Sequence, residues 1–388
     1  MKIIQRQFQV DLVGVHLARM RTVFAAVFCA LRCGELSLTG LGRAIATRTT
    51  HKHGIKRIDR LLGNEHLHEE RLAFYKAIAR RLVAPGSRPV IIVDWTAVTP
   101  KLWALVAAVS FKGRALTVYA ETHPISRYLK PYVNSAFLKR LKVVLPRGCV
   151  PIILADAGFR SPFMKLVEKM GWDYVVRLRG PALIRHRRGR GWMRLPLLFG
   201  LTGSRAKDFG RVEIGQRRRF TTRLIGIRRE IHHRKYHSRK LHSITSWRER
   251  VSAHEPWILA TSLAVENARV VALYKRRMQI EETFRDTKNP RFGMSLASAR
   301  PRSEARADIL VLLASLAHVL ALLFGIAGEA DHLQRGYQAN TVSARRVLSL
   351  VRLGRFLIES GHGARLSAAL SPRAWAAFRA RIEEGLAY

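Results

Sequence analysis

The spacing of apolar residues predicts helical regions at both ends of the chain and a middle rich in strands. Up to about residue 88, apolar positions recur at helical spacing, as in Phe8 to Leu31, Leu36 to Thr49 and His53 to Asn64. After a turn-forming segment from Pro85 to Pro89 the pattern changes to short β-branched runs. From Ser303 onward the pattern is helical again.

Strands and helices alternate between residues 89 and 179. Val90 to Val93 is a continuous apolar run, typical of a central strand buried on both faces. The elements predicted after it are, in order, Leu102 to Phe111, Ala115 to Ala120, Ser135 to Leu145, Val150 to Leu154, Ser161 to Met170 and Asp173 to Arg179. The order β-β-β-α-β-α-β is that of a ribonuclease-H-like domain.

A basic segment follows, at residues 180–255, with strand-like pieces at Arg211 to Ile214 and Arg219 to Ile227. From Arg177 to Arg250 there are 22 Lys or Arg residues against four acids. We expect a β-rich insertion that lies along a phosphate backbone, the alternative being a disordered basic loop.

The predicted fold class is therefore α/β: a ribonuclease-H-like catalytic core interrupted by a β-rich insertion, with helical N-terminal and C-terminal regions. The predicted boundaries are residues 1–88 for a helical DNA-binding domain, 89–179 and 256–328 for the two parts of the core, 180–255 for the insertion, and 329–388 for the C-terminal helical region.

The charge of the chain narrows the class of partner. The 388 residues include 69 Lys or Arg and 27 Asp or Glu, a formal net charge of +42. Such an excess destabilises a compact state by self-repulsion unless a polyanion offsets it, which favours nucleic acid over an anionic membrane surface. The three cysteines suggest a reducing compartment without a disulfide framework.

The segment from Tyr274 to Lys288 predicts one continuous helix with a polar face. At about 100° per residue, Tyr274, Arg277, Glu281 and Lys288 share an arc of roughly 60°. Glu282 lies off that arc, as does Asp286, so Glu281 is the acid placed to act. The alternative is an exposed helix with mixed charges.

Three carboxylates stand at the positions that a ribonuclease-H-like order provides for acids. Asp94 follows the first strand, Asp156 follows the fourth, and Glu281 lies on the late helix. Mg²⁺ prefers oxygen ligands, and a pair of such ions can activate the attacking oxygen and stabilise the leaving oxygen of a phosphodiester. These residues are the predicted catalytic and metal-binding set.

Two short helices joined near Thr49 to Lys52 predict a helix-turn-helix. Its second helix presents Lys56, Arg57 and Arg60, which can contact phosphates or base edges in a major groove. The alternative is a solvated basic face.

The apolar run from Ile309 to Gly328 is long enough to cross a membrane. We favour a buried helix of a soluble domain, because Ala and Gly are frequent and no aromatic belt flanks the run.

Tyr274, Arg277, Glu281 and Lys288 reproduce the Y-(2)-R-(3)-E-(6)-K signature of bacterial DDE transposases of the insertion-sequence 4 family, which this chain resembles. The contexts Asp94-Trp95-Thr96 and Asp156-Ala157-Gly158-Phe159, the basic insertion and the apolar helix extend the resemblance over most of the chain. It implies cut-and-paste transposition of double-stranded DNA, through hairpin intermediates, by a homodimer on paired transposon ends. It also implies a cytoplasmic, nucleoid-associated bacterial protein without membrane contact.

The resemblance also assigns roles to single residues. Asp94, Asp156 and Glu281 would bind two Mg²⁺ ions, with Mn²⁺ as a substitute. Tyr274, Arg277 and Lys288 would hold the DNA near the hairpin. Trp257 would stack on a flipped base, or else belong to the core.

Two other functions remain open from the sequence. One is a ribonuclease-H-like nuclease that cuts DNA without strand transfer. The other is an inactive basic protein that only occupies DNA ends.

Overall fold

The computed structural model describes residues 2–45, 50–111, 113–186, 189, 191–217, 219–228, 255–291, 293–339, 341–342, 345–362 and 371–384. These residues form a mixed α/β protein in two compact units. Unit 1 comprises Met1–Cys149 and Met278–Tyr388, and unit 2 comprises Val150–Arg277. The division into five regions remains a prediction.

Unit 1 begins with five helices, as the apolar spacing predicts. They are α1 Lys2–Gln9, α2 Leu17–Cys33, α3 Leu38–Ala44, α4 His51–Leu62 and α5 Glu65–Leu82. Side chains cap several of them: Ser37 accepts a hydrogen bond from the N–H of Gly40, and Asn64 accepts one from the N–H of Leu67. The stretch from Phe8 to Leu31, which has apolar residues at helical spacing, falls on the end of α1 and on α2, with residues 10–16 between the two helices.

Helices α3 and α4 approach each other closely at two glycines. A Cβ on Gly42 would lie 2.5 Å from the Cα of Ile55, and one on Gly54 would lie 2.1 Å from the carbonyl oxygen of Gly42. Only glycine permits such a backbone contact. The two helices of the predicted helix-turn-helix therefore pack together, although residues 46–49 between them lie outside the described residues.

The strands of unit 1 form an antiparallel array in which β2 lies between β1 and β3. Their bounds are β1 Val90–Ala97, β2 Leu102–Phe111 and β3 Arg114–Pro124, and helix α6 follows at Pro131–Val144. The prediction for β2 is confirmed at both ends, and β1 continues three residues beyond Asp94.

Among the residues that the structure describes, three more α-helices of unit 1 follow α9 (Met278–Lys288): α10 Glu304–Ala330, α11 Leu350–Glu359 and α12 Pro372–Glu384. The apolar window of α10 is 94% buried, so the prediction of a core helix is confirmed. Gly325 and Gly354 let α10 and α11 pack backbone to backbone, since a Cβ at Gly354 would lie 1.8 Å from the carbonyl oxygen of Ala321.

In its described residues, unit 2 is a strand-rich body with two α-helices. Its elements are β4 Ile152–Ala155, α7 Ser161–Lys169, β5 Asp173–Leu178, β6 Leu183–His186, β7 Met193–Arg194, β8 Lys207–Ile214, β9 Phe220–Ile227, β10 Trp257–Thr261 and α8 Asn267–Lys275. The strand order is β4-β5-β10-β9-β8-β6-β7. Among the described strands of unit 2, β4 and β5 pair in parallel, and the other neighbouring pairs are antiparallel.

The predicted insertion falls on β6 to β9 and on residues 229–254, which lie outside the described residues. The strands of this region pair with one another, and β9 pairs with β10. Its interpretation as an insertion remains a prediction.

The predicted continuous helix from Tyr274 to Lys288 is wrong. Helix α8 ends at Lys275, Arg276 and Arg277 form a turn, and α9 begins at Met278. The N–H groups of Arg276 and Arg277 bond to the carbonyl oxygens three residues earlier, at 3.0 Å each, which closes α8 with a tight turn. The single polar arc therefore does not extend across this break.

Candidate active site and nucleic-acid contacts

Asp94 is a half-buried carboxylate within the apolar strand β1. The four residues before it, Val90 to Val93, are buried. One of its oxygens, Oδ1, accepts a hydrogen bond from the N–H of Trp95 at 2.8 Å. Burying a carboxylate costs free energy unless interactions compensate it, so an acid at this position is a candidate for function.

Helix α9 is fastened to the end of the β2–β3 hairpin by three polar side chains. The amide oxygen of Gln279 accepts hydrogen bonds from Ser110 and from the N–H of Phe111. The Thr283 hydroxyl bonds to the backbone of Ala115. The Asp286 carboxylate pairs with Arg114 at 2.5 Å. These bonds fix both the position of α9 and its rotation about its own axis.

The fixed rotation determines where Glu281 and Lys288 point. Gln279, Thr283 and Asp286 lie within about 60° of one another round the helix, and Glu281 and Lys288 lie roughly opposite, within about 20° of each other. Both are half-buried. The shared face predicted for these two residues is therefore present on α9.

Lys288 and Asp94 interact electrostatically within unit 1. Burial lowers the pKa of the Lys288 ammonium group, and the negative charge of Asp94 acts in the opposite direction. The ammonium nitrogen also lies 5.7 Å from the centre of the Phe284 ring. A strand carboxylate and a helix cation thus belong to one partly desolvated site.

The other two acids of α9 form ion pairs elsewhere. Glu282 pairs with Arg285 at 2.6 Å, and Asp286 pairs with Arg114. Both side chains therefore neutralise arginines of the protein itself.

Asp156 follows directly after β4 in unit 2 and is half-buried. Its Oδ1 accepts the N–H of Gly158 at 2.9 Å, and its carbonyl oxygen accepts the N–H of Phe159. Phe159 is buried against Phe163. The Asp-Ala-Gly-Phe segment is therefore a turn that holds the carboxylate at the end of a strand, as predicted.

Trp257 and Tyr274 meet edge to face in unit 2. Their ring centres lie 4.9 Å apart at an interplanar angle of 81°. The Tyr274 ring is buried, at 3% exposure, while Trp257 is half-buried. The contact joins the first residue of β10 to the last turn of α8, so two residues singled out separately from the sequence are neighbours.

Arg177 is a residue of this region that sequence reasoning missed. Burial lowers the pKa of its guanidinium group, Tyr274 acts in the opposite direction, and Arg277 is among the neighbouring cations that lower it further. A guanidinium Nη2 donates to the carbonyl oxygen of Glu255 at 3.3 Å. The sequence does contain a sign of it, because an arginine within the largely apolar strand β5 is unusual and suggests a functional residue.

Lys56, Arg57 and Arg60 lie on α4 and are exposed, whereas Ile58 is buried. Arg57 Nη2 donates to the Thr22 hydroxyl at 3.4 Å. The helix thus presents a basic face and buries an apolar one, as predicted.

The donor atoms of Asp94 and Glu281 are the carboxylate oxygens that Mg²⁺ prefers. In the part of the chain that the structure describes, however, no group of three or more His, Cys, Asp or Glu side chains is arranged to hold a metal ion. Within unit 1, Asp94 and the α9 helix that carries Glu281 and Lys288 come together. Within unit 2, Trp257, Tyr274 and Arg277 form a second group, and Asp156 lies at the end of β4.

Comparison with known proteins identifies the family. The comparison with curated proteins gave no match. A family model described as "Transposase DDE domain" matches residues 85–320, well over half of the 388 residues. The match begins before β1 and ends within α10, so it includes every acid of the predicted triad. Membership implies a ribonuclease-H-like fold, action on DNA and the use of divalent metal ions. The chain belongs to the family of proteins with a transposase DDE domain.

Proposed function

We propose that this protein is a transposase of the insertion-sequence 4 type, which cuts DNA at transposon ends and joins the freed 3′ ends to target DNA. The observation that carries the proposal is the electrostatic interaction of Asp94 on β1 with the half-buried Lys288 on α9, within a chain that belongs to the DDE family. The reaction proceeds by water attack, hairpin formation, hairpin opening and strand transfer.

Asp94, Asp156 and Glu281 form the catalytic triad and supply carboxylate oxygens to two Mg²⁺ ions, for which Mn²⁺ can substitute. When bound, these ions lower the barrier for in-line displacement at phosphorus. The protein contributes position. Strand β1 holds the half-buried Asp94. The bonds from Gln279, Thr283 and Asp286 hold α9 so that Glu281 is turned away from the β2–β3 hairpin of the protein.

Lys288 binds a phosphate beside the scissile bond. Its ammonium group is partly desolvated, and an ion pair with phosphate is stronger where water is excluded. The negative charge of Asp94 raises the pKa of Lys288 against the effect of burial, and so favours the ammonium ion.

Trp257 and Arg277 hold the DNA near the hairpin, and Tyr274 supports Trp257. Base flipping costs a few kcal/mol, and stacking on an aromatic ring returns about 1 to 3 kcal/mol. Trp257 is the partly exposed member of the pair, and the buried Tyr274 ring fixes its orientation. This division of roles assigns base stacking to Trp257 and support to Tyr274.

Lys56, Arg57 and Arg60 bind the transposon end through α4. Their exposed side chains suit phosphates or base edges in a major groove. The protein acts as a homodimer on two paired ends, in the bacterial cytoplasm at the nucleoid.

The test is cleavage of a labelled duplex that carries the element's own terminal repeats, with Mg²⁺. Hairpin-ended product from the wild type and none from Glu281→Gln supports the proposal. Glu282→Gln is the matched control, because it neutralises the adjacent acid that already pairs with Arg285. Tight binding without cleavage by the wild type would instead indicate an inactive DNA-binding protein.

Pre-cut ends mixed with supercoiled target separate the transposase from a nuclease of the same fold. Joined products require strand transfer. Cleavage without any joined product would reduce the function to that of a nuclease.

A further inference from the structure

A basic groove in unit 2 is lined by residues of helix α7 and by residues just before and at the start of β9. Its volume is about 670 Å³. It is lined by Ser161, Pro162, Lys165, Leu166, Lys169, Arg217, Arg219 and Phe220. The lining contains four cations and no acid. None of these residues belongs to the site described above.

The cations form two rows that face the same space. Lys165 and Lys169 are four residues apart on α7, so they lie on one side of that helix together with Ser161. Arg217 and Arg219 stand just before β9. All four cations are exposed. Leu166 and Phe220 contribute apolar side chains to the lining.

Two other arginines of the strands in this part of unit 2 are neutralised by acids. Arg185 pairs with Glu213, and Arg223 pairs with Asp208. In contrast, Lys165, Lys169, Arg217 and Arg219 form no ion pair with any of the residues that the structure describes. Glu168, the acid of α7, accepts a hydrogen bond from the hydroxyl of Tyr174 instead.

We infer that this groove binds the sugar–phosphate backbone of duplex DNA without reading its sequence. Two rows of uncompensated cations match a line of phosphates, and the Ser161 hydroxyl can donate to a phosphate oxygen. The inference rests on the proposed function, because it assigns a further part of the same DNA path.

The test measures how DNA affinity depends on salt. Two double variants, Lys165→Gln with Lys169→Gln and Arg217→Gln with Arg219→Gln, remove one row each. The control is Lys139→Gln with Lys142→Gln on α6, which removes the same charge from exposed lysines of unit 1. Binding of a random-sequence duplex is followed by fluorescence anisotropy across a range of KCl concentrations.

Each phosphate contact contributes about 0.9 to the slope of log K against log salt. We expect each groove variant to lower the magnitude of that slope by about 1 to 2, and the control to leave it unchanged. The loss should be the same for random duplex and for transposon ends. Thermal unfolding checks that the variants fold, as expected for substitutions at exposed side chains.

An unchanged slope in both groove variants overturns the inference, and so does an equal loss in the α6 control, which would indicate net charge rather than the groove. The variants retain Asp94, Asp156 and Glu281. Cleavage by the wild type together with an unchanged slope would therefore reject the groove alone. Absence of both binding and cleavage in the wild type would reject the proposed function as well.

Discussion

The Thr283 hydroxyl bonds to both backbone groups of Ala115. It accepts the Ala115 N–H at 2.9 Å and lies 2.8 Å from the Ala115 carbonyl oxygen, to which it donates. Thr283 is buried on α9, two residues after Glu281, and Ala115 opens the buried part of β3. One side chain thus joins the helix of the candidate catalytic glutamate to a strand end.

Thr283→Val should lower the free energy of unfolding by about 1 to 3 kcal/mol, because it leaves a buried N–H and a buried carbonyl without their partner. Chemical denaturation measures this change. The rate of cleavage should fall as well, since one of the three side chains that fix the rotation of α9 no longer forms its hydrogen bonds. Thr283→Ser, which keeps the hydroxyl group, is the control; equal losses in both variants would mean that the methyl group matters instead.

The three proposed catalytic acids should be separable from DNA binding. Asp94→Asn, Asp156→Asn and Glu281→Gln are each expected to abolish cleavage while transposon-end binding stays nearly intact, because a triad acts as a unit in catalysis. Cleavage and gel-shift assays on the same labelled duplex measure both quantities. If any one variant cleaved the duplex as fast as the wild type does, the residue changed in it would not be catalytic.

Substitution of Trp257 should affect the yield of hairpin product, whereas substitution of Tyr274 should mainly affect stability. Trp257→Ala is expected to reduce hairpin product, by removing a stacking surface worth about 1 to 3 kcal/mol, whereas Trp257→Phe should keep much of it. Tyr274→Ala should mainly lower stability, because the Tyr274 ring is buried. Hairpin yield and unfolding midpoint distinguish the two; an unaffected hairpin yield in Trp257→Ala would place Trp257 in the core.

His318 should make the stability of unit 1 depend on pH. Burial in α10 lowers the pKa of its imidazole to about 4; the charge of Asp286 acts in the opposite direction, and that of Arg114 lowers the pKa further. The folded state therefore holds the neutral ring, whereas the unfolded state takes up a proton near pH 6.5. Stability should be full above about pH 6.5 and fall as the pH drops toward about 4.

The expected loss from His318 over that interval is about 3 kcal/mol. His318→Leu removes the titration, so its free energy of unfolding should decline less steeply with falling pH than that of the wild type. Urea unfolding at a series of pH values measures both slopes. Parallel curves for the two proteins would show that other groups dominate the acid sensitivity.

Local sequence determined the strands near the site well. The run before Asp94 is uniformly apolar, and a strand buried on both faces requires such a run. The β2 segment lies between turn-forming residues, so both of its ends could be located. The turn after β4 was visible in Asp156 and Gly158, because each suits a tight turn for a different reason.

The break between Tyr274 and Lys288 could not be found in this way. All residues across it are good helix formers, and nothing in their local preferences ends α8 at Lys275. The two halves are held by different partners: Tyr274 packs on Trp257, while Thr283 bonds to Ala115. Tertiary contacts override propensity where they are many and buried.

The sequence by itself determined the kind of chemistry: the acids, the signature spacing, the excess of cations and the order of strands and helices. Each of these depends on residue type and on neighbours along the chain. Only the tertiary structure decided which cations are already neutralised, which acids of α9 pair with arginines, and that Arg177 lies beside Tyr274. Those relationships join residues far apart in the chain, and their free energies depend on distance and burial, which a sequence does not contain.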